Sequence, residues 1–277
     1  ARSEEALDAR LAAGRLAAAG VLLPPSMAAE SPHVVIRAFG SLSVVVDGEP
    51  APPWQSRKAY DLLRILIAHR GRPVAREHLI ELLWGGPPSK AVNHRLAVAL
   101  STVRGVLDPG RRSPADHFIS AGHANMWLNL DRMTVDVECF LTDARHGLRL
   151  CGQGAAEDAR VVLAAVEQAY PAEVFADEPY DTWAQPLRDE VRSTYLVVLR
   201  TLARLARQAG DADEAAAHLR RIIADEPYDE QAHRDLLVTL VEAGRHGEAR
   251  RAYDRYAEAM TDIGVPVPER TVLLNRL

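Results

Sequence analysis

The feature of this sequence that most restricts its fold is an internal repeat in the C-terminal half. Ala209-Gly210 is followed by Ala243-Gly244 at a distance of 34 residues. Glu214-Ala215 and Glu248-Ala249 keep the same offset, and a looser third copy covers residues 154–170. A period of this length, with a small residue and a glycine at each turn, is typical of helical hairpins that stack on one another and share a continuous core.

The repeat predicts an all-helical, tetratricopeptide-like domain over residues 134–277. We expect helices from about Val135 to the end of the chain. The identical segments at residues 176–181 and 224–229 indicate that one helix-opening turn is reused. Stacked helix pairs leave a concave surface, and such a surface suits a peptide or a partner helix.

Residues 33–133 show a different order of elements. β-branched runs at 34–39 and 42–46 predict two strands, and Asp47-Gly48 is a hairpin signal that leads into a short third strand. Helices are predicted at about 56–69, 76–83 and 90–107, with an extended piece at 72–74 and a closing β-hairpin at 117–130. This order is typical of a winged helix-turn-helix with a small N-terminal β-sheet, in which the hairpin is the wing.

The predicted fold is therefore mostly α, with a winged helix-turn-helix at residues 33–133 and helical repeats at 134–277. Residues 1–32 read as an N-terminal helix and linker, in keeping with the tail of an upstream region. Charge divides along the same boundary: residues 33–133 hold 13 Lys and Arg against 8 Asp and Glu, whereas residues 134–277 hold 17 against 26. A basic half joined to an acidic half predicts one face for a polyanion and another for a different partner.

The predicted helix at 90–107 has two contrasting faces. Apolar residues on one face are expected to pack on the first two helices, namely Val92, Leu96, Leu100, Val103 and Leu107. The opposite face is almost uncharged, and small or apolar side chains there can approach base edges and touch thymine methyl groups. We therefore predict base contacts from His94, Arg95, Ala97, Val98 and Ser101. The alternative is that this face packs on another domain.

Basic and polar side chains around that face are candidates for phosphate contacts, which fix register without reading sequence. They are Arg57, Lys58, Arg72, Arg76, Lys90, Thr102 and Arg104. For each basic residue the alternative is a solvated surface charge. At the tip of the wing, His123 and Asn125 are further candidates, with a polar turn as the alternative.

Seven short stretches carry a combined resemblance to one family. They are Phe39-Gly-Ser-Leu, Ser56-Arg-Lys-Ala, Leu79-Ile-Glu-Leu-Leu-Trp84, Leu100-Ser-Thr-Val-Arg104, Val135-Asp-Val, Trp183-Ala-Gln-Pro-Leu-Arg188 and Ile263-Gly-Val-Pro-Val-Pro268. Residues 36–130 resemble the OmpR-type DNA-binding domain of SARP-type bacterial regulators, and residues 135–265 are similar to the bacterial transcriptional activation domain that follows it there. The resemblance implies binding to double-stranded DNA at promoter repeats and recruitment of RNA polymerase, with the helical domain contributing homodimer or polymerase contacts.

The predicted function is a sequence-specific DNA-binding transcriptional regulator, an activator that recruits RNA polymerase. The alternative is a protein-interaction scaffold in which the winged helix and the helical repeats dock partner proteins. The division of charge favours the regulator. Motifs for nucleotide binding and zinc hydrolysis are lacking from the sequence, so we predict no enzyme activity, no cofactor and no metal site.

The sequence also supports expectations for two cysteines, two histidines and the cellular location of the protein. Cys139 and Cys151 have no CxxC partner and are expected to be structural thiols on one helix. His233 and His246 are expected at the surface of the repeats. No apolar run approaches the roughly 20 residues of a membrane span, so we expect no membrane association and a cytoplasmic protein.

Overall fold

The computed structural model of the chain describes residues 32–270. The helix and linker predicted before Pro32 lie outside the described residues. The chain divides into two compact units, one of which holds residues up to Thr142 together with Tyr170–Val191. The other holds Asp143–Ala169 and the residues from Arg192 onward.

The first unit contains two small sheets. Their strands are β1 (Val34–Arg37), β2 (Ser43–Val46), β3 (Glu49–Pro50), β4 (Val74–Ala75), β5 (Ile119–Ala121), β6 (Asn125–Leu128) and β7 (Thr134–Val135). One sheet has the order β3-β2-β1-β7, in which β7 runs parallel to β1, and the other has the order β4-β6-β5. The predicted N-terminal sheet and wing hairpin are both confirmed.

Between β3 and β5 the chain forms the helices α1 (Arg57–Ala68), α2 (Arg76–Trp84) and α3 (Lys90–Leu107), with β4 between α1 and α2. The Ser56 and Ser89 hydroxyls cap α1 and α3 by accepting the backbone N–H groups of Ala59 and Val92. Gly85 ends α2 in the left-handed conformation, which glycine adopts without steric cost. The winged helix-turn-helix predicted from the order of elements is therefore present.

Six α-helices follow within the part of the chain that the structure describes: α4 (Asp136–Gly152), α5 (Ala156–Gln168), α6 (Gln185–Gln208), α7 (Ala212–Asp225), α8 (Glu230–Glu242) and α9 (His246–Asp262). The repeat glycines Gly210 and Gly244 occupy equivalent turns with φ of 79° and 70°, after α6 and after α8. Cys139 and Cys151 lie on one helix, α4, as expected. Among residues 32–270, no helix has the length and apolar character needed to cross a membrane.

The expectation for His233 is wrong. Its side chain is only 3% exposed, and its Nε2 lies 2.9 Å from the carbonyl oxygen of Pro227. Its ring also packs against Tyr256 with a centroid separation of 5.5 Å. The helical spacing in the sequence places His233 on the inner face of α8. The prediction of a surface position relied instead on residue type, because histidine is less often fully buried than apolar residues are. His246, at the start of α9, is exposed as expected.

Tyr170–Val191, which we call the return segment, also departs from the expectation of continuous helix after Val135. It carries a short 3-10 turn at Thr182–Ala184 and becomes regular helix only from Gln185. Its backbone pairs with the residues that follow β1: Phe175 N–H donates to Ala38 at 2.9 Å, and Gly40 N–H donates to Glu173 at 2.8 Å. The return segment is thus hydrogen-bonded to the winged-helix unit.

Arg188 organises the return segment from inside. Its guanidinium is 8% exposed and donates to five backbone carbonyl groups, those of Val174, Phe175, Glu178, Pro179 and Asp181. Because a guanidinium has five N–H donors in a fixed plane, one side chain fixes the course of the whole loop. The loop then presents its carboxylates to α1.

The most buried of these contacts joins Arg64 of α1 to a carboxylate of the return segment. Its side chain is completely buried, and its Nη1 donates to Asp181 Oδ2 at 2.9 Å. The guanidinium carbon lies 4.8 Å from the ring centroid of Phe175 and 5.2 Å from that of Trp183. A buried cation needs a counter-charge or aromatic faces, and the return segment supplies both.

Removing the carboxylate partner of Arg64 should destabilise this unit. We expect Asp181→Ala to lower the free energy of unfolding by about 2 to 4 kcal/mol, because the buried guanidinium then keeps only the more distant carboxylate of Asp61, 3.8 Å away. Glu178→Ala is the control, since its partner Arg57 is 57% exposed. That change should cost less than about 1 kcal/mol. Equal losses in chemical denaturation of the two variants would contradict the role given to Asp181.

Candidate nucleic-acid interface

The inner face of α3 anchors the helix in the winged-helix core. Leu96, Leu100, Val103 and Leu107 are each at most 6% exposed, and α3 contacts both α1 and α2. Val92 is half-buried. The apolar stripe predicted from helical spacing therefore packs as expected, and it fixes which side of α3 faces outward.

The outward face of α3 brings together all five residues predicted to contact bases. His94, Arg95, Ala97, Val98 and Ser101 are exposed. Val98 is 52% exposed, although a valine in this position gains nothing from contact with water. Arg95 is the one charged side chain among them, so the face is open, shallow and nearly neutral.

The candidate phosphate contacts fall into two groups, and the first consists of side chains that reach solvent. Lys58, Arg72 and Lys90 are exposed, and Arg76 is half-buried. Arg72 Nε donates to the carbonyl oxygen of His69 at 3.2 Å, which leaves its remaining N–H groups available to another acceptor. Lys90 stands in the first turn of α3, next to the Ser89 cap.

Arg57 belongs to the second group, because the chain already supplies its counter-charges. Its Nε lies 3.0 Å from Asp61 Oδ1, and its Nη2 pairs with Glu178 of the return segment. The hydrogen bond with Glu178 raises the pKa of Arg57 above its usual value. A phosphate would have to displace these carboxylates. No local pattern in the sequence indicates this pairing, since Glu178 is 121 residues away.

Arg104 and Thr102 are also engaged within the chain. Arg104 Nη2 donates to the carbonyl oxygen of Ile119 in β5 at 3.0 Å, which joins α3 to the wing. Burial lowers the pKa of Arg104, and no carboxylate in the described residues hydrogen-bonds to it. The Thr102 hydroxyl donates to Val98 O at 3.1 Å, and its oxygen can still accept a bond. Arg104 therefore has a positioning role that its charge alone did not indicate.

The wing turn presents both of its predicted residues to solvent. His123 and Asn125 are exposed, and the turn closes where Gly122 N–H donates to Asn125 O at 2.9 Å. Arg76 N–H donates to Ala124 O at 2.8 Å, so the turn is attached to the start of α2. The tip is thus held at a fixed place relative to the helix-turn-helix.

Asn129 is a positioning residue that sequence reasoning missed. Its Nδ2 donates to the carbonyl oxygens of Asp116 and His117, each at 2.8 Å. Its Oδ1 accepts the Ser120 hydroxyl at 3.1 Å. Together these bonds lock the base of the wing. Its place just after an alternating strand was the only available signal, and many loop asparagines share it.

Comparison with known proteins identifies both parts of the chain. Residues 135–275, just over half of the sequence, match the family described as Bacterial transcriptional activator domain. Residues 52–120 match the family described as Transcriptional regulatory protein, C terminal. The second match covers α1, α2 and α3, the last of which carries the outward face.

Curated relatives and a solved structure agree with these matches. The transcriptional regulatory protein EmbR of Mycobacterium tuberculosis is 25% identical over 246 residues, which cover 86% of this chain and 62% of EmbR. The transcriptional regulatory protein MoaR1 of the same species is 23% identical over 88% of this chain and 79% of its own length. The structure of M. tuberculosis EmbR in complex with a low-affinity phosphopeptide has a TM-score of 0.75, at 22% identity, over 88% of this chain and 65% of that one.

The fold and these matches define a transcriptional regulator with a DNA-binding winged helix. The chain belongs to the bacterial transcriptional activator domain family, as the resemblance to SARP-type regulators predicted. It spans about 62% of the length of the EmbR relatives that it matches.

The internal partners of Arg57 predict unequal effects of two charge removals. Lys90→Ala should reduce the slope of log K against log salt for DNA binding by about one unit, because one phosphate contact is lost. Arg57→Ala should reduce it by clearly less, because Asp61 and Glu178 already neutralise that guanidinium. Fluorescence titrations of a labelled duplex at several salt concentrations measure both slopes. Equal reductions would show that DNA displaces Glu178.

Proposed function

We propose that this chain is a sequence-specific transcription activator whose helix α3 enters the major groove of promoter DNA. The observation that carries the proposal is the outward face of α3, which is exposed, nearly uncharged and surrounded by cations. A face of this composition gains little from water. It suits a groove whose floor displays hydrogen-bonding edges and thymine methyl groups.

Base reading is assigned to five side chains on that face. His94, Arg95 and Ser101 supply hydrogen-bond donors or acceptors for base edges, and Arg95 has the geometry for bidentate contact with guanine. Ala97 and Val98 provide apolar contact with thymine methyl groups. Because Thr102 already donates to the backbone of α3, its hydroxyl can only accept, so its contribution to a phosphate is through water or absent.

Phosphate binding is assigned first to three exposed cations and the half-buried Arg76. Lys58, Arg72, Arg76 and Lys90 supply the sequence-independent part of the affinity, and the N-terminal end of α3 adds the positive end of its helix dipole beside Lys90. Arg57 and Arg104 add less, since each is engaged by other groups in the chain. His123 and Asn125 at the wing tip would contact the neighbouring backbone or minor groove.

Activation is assigned to the helical region, which would recruit RNA polymerase. Residues 134–277 carry 26 acidic against 17 basic residues, and this balance disfavours DNA as their partner. If promoter sites are repeated, two copies of the chain on adjacent sites would gain affinity from a homodimer contact without new base contacts. The relatives are transcriptional regulators by name, which supports this assignment.

A charge placed on α3 tests the interface. Val98→Glu should abolish selection of specific fragments from a genomic DNA pool, because it directs a carboxylate at the groove. Val161→Glu is the matched control, since Val161 is an exposed valine of α5 at 72% exposure, compared with 52% for Val98. The control should select the same fragments as the unchanged protein. If the Val98→Glu variant selects the same fragments as the unchanged protein, α3 does not enter the DNA groove.

Shortening the polar readers tests their individual roles. His94→Ala, Arg95→Ala and Ser101→Ala should each weaken the preference at particular base pairs by roughly 1 to 3 kcal/mol. The binding to unrelated DNA should stay nearly the same, because nonspecific affinity comes from phosphate contacts. Titrations against single-base variants of the selected site measure this. An equal loss of affinity for every single-base variant of the site would show that the residue contacts phosphates and does not read bases.

A further inference from the structure

The second unit contains a groove between α6 and α8 that the DNA interface leaves unused. The cavity there has a volume of about 390 Å³ and is bordered by Val197 of α6, Leu219 of α7 and Ala232 of α8. Val197 is 43% exposed, so an apolar side chain of the groove wall is open to solvent. A cavity of this size lies within the range of about 300 to 1,000 Å³ in which proteins hold ligands and side chains of partners.

Three arginines form one wall of this groove. Arg200, Arg204 and Arg207 lie at spacings of four and three residues along α6, which places them on one face of the helix. They contrast with the acidic balance of the region as a whole. We call this row the arginine ladder.

The charge of the ladder is only partly neutralised by the chain. Arg200 pairs with Asp229, whose side chain caps α8, and Arg207 Nη2 lies 3.1 Å from Glu242. Arg207 Nε is buried and has no hydrogen-bond partner among the residues described. The ladder therefore keeps unused donors even where carboxylates are near.

Arg204, in the middle of the ladder, is exposed and its described partners are neutral. Its Nη2 contacts Cys151 Sγ at 2.8 Å, and its Nη1 lies 3.5 Å from the side-chain oxygen of Gln208. A thiol and an amide are weak substitutes for a carboxylate as acceptors of a guanidinium. An incoming carboxylate would gain a charge-assisted, bidentate contact at this position without breaking an ion pair.

We infer that the groove between α6 and α8 docks an acidic peptide segment of a partner protein, with an apolar side chain in the cavity and carboxylates on the arginine ladder. This inference rests on the proposed function, since it names the chemistry that the helical region would recognise in the transcription machinery. DNA fits less well, because a duplex has no apolar side chain to place in the cavity beside Val197 and Leu219.

The experiment selects short peptides from a displayed random library on the chain of 277 residues. The inference predicts enriched sequences with at least two Asp or Glu residues beside an apolar residue. A synthetic peptide of the enriched sequence should bind the Arg204→Glu chain at least about tenfold more weakly, which corresponds to about 1.4 kcal/mol. Its affinity should also fall as salt is added, because the contacts are partly exposed to solvent.

Matched variants separate this result from misfolding and from the DNA interface. Arg255→Glu makes the same charge change at an exposed arginine of α9 that does not border the groove, and it should keep the affinity. Arg204→Gln, a milder change, should show an intermediate loss with an unchanged unfolding transition. Enrichment of non-acidic peptides, no enrichment, or equal affinity for Arg204→Glu would overturn the inference.

DNA binding by the same variants distinguishes this inference from the proposed function. Arg204→Glu should bind the promoter fragment like the unchanged chain, whereas Val98→Glu should lose that binding and keep the peptide. If Arg204→Glu instead weakens DNA binding, the ladder is a DNA contact and the peptide assignment is wrong. Failure of DNA binding in the unchanged chain with peptide binding intact would refute the proposed function alone.

Discussion

A buried cation on α1 is the constraint on which the DNA-binding unit depends. Arg64 is completely enclosed, and such a charge is tolerated only with a counter-charge and surrounding polarisable groups. The return segment provides them through Asp181, Phe175 and Trp183. Arg188 in turn holds the return segment in shape by donating to its carbonyl groups. Residues far beyond the wing thus contribute to the core that supports α3.

This arrangement leaves α3 free to use one face for packing and the other for recognition. The apolar stripe of α3 is buried. The Ser89 cap fixes the residue at which α3 begins, and the hydrogen bond from Arg104 to β5 fixes the position of the wing beside it. Asn129 fixes the base of the wing in the same way. The outward face is then not needed for packing, so small and apolar residues such as Ala97 and Val98 can be placed there for a partner.

The sequence predicted the features that depend on local spacing. The inner face of α3, the repeat turns at Gly210 and Gly244, and the wing hairpin each follow from periodicity or turn chemistry within a few residues. The pairing of Arg57 with Glu178 and the burial of Arg64 could not be predicted, because they join residues more than 100 positions apart. The return segment has no helical or strand period, and its shape comes from Arg188.

The most direct measurement of the central claim is a crosslink from α3 to DNA. A photoreactive amino acid at position 98 of the chain, irradiated on the promoter fragment that the protein protects, should attach to bases at the centre of the protected region. The same group at position 161 should give no crosslink to DNA. Protection of the fragment without any crosslink from position 98 would contradict the account, because α3 would then not be the element that reads the groove.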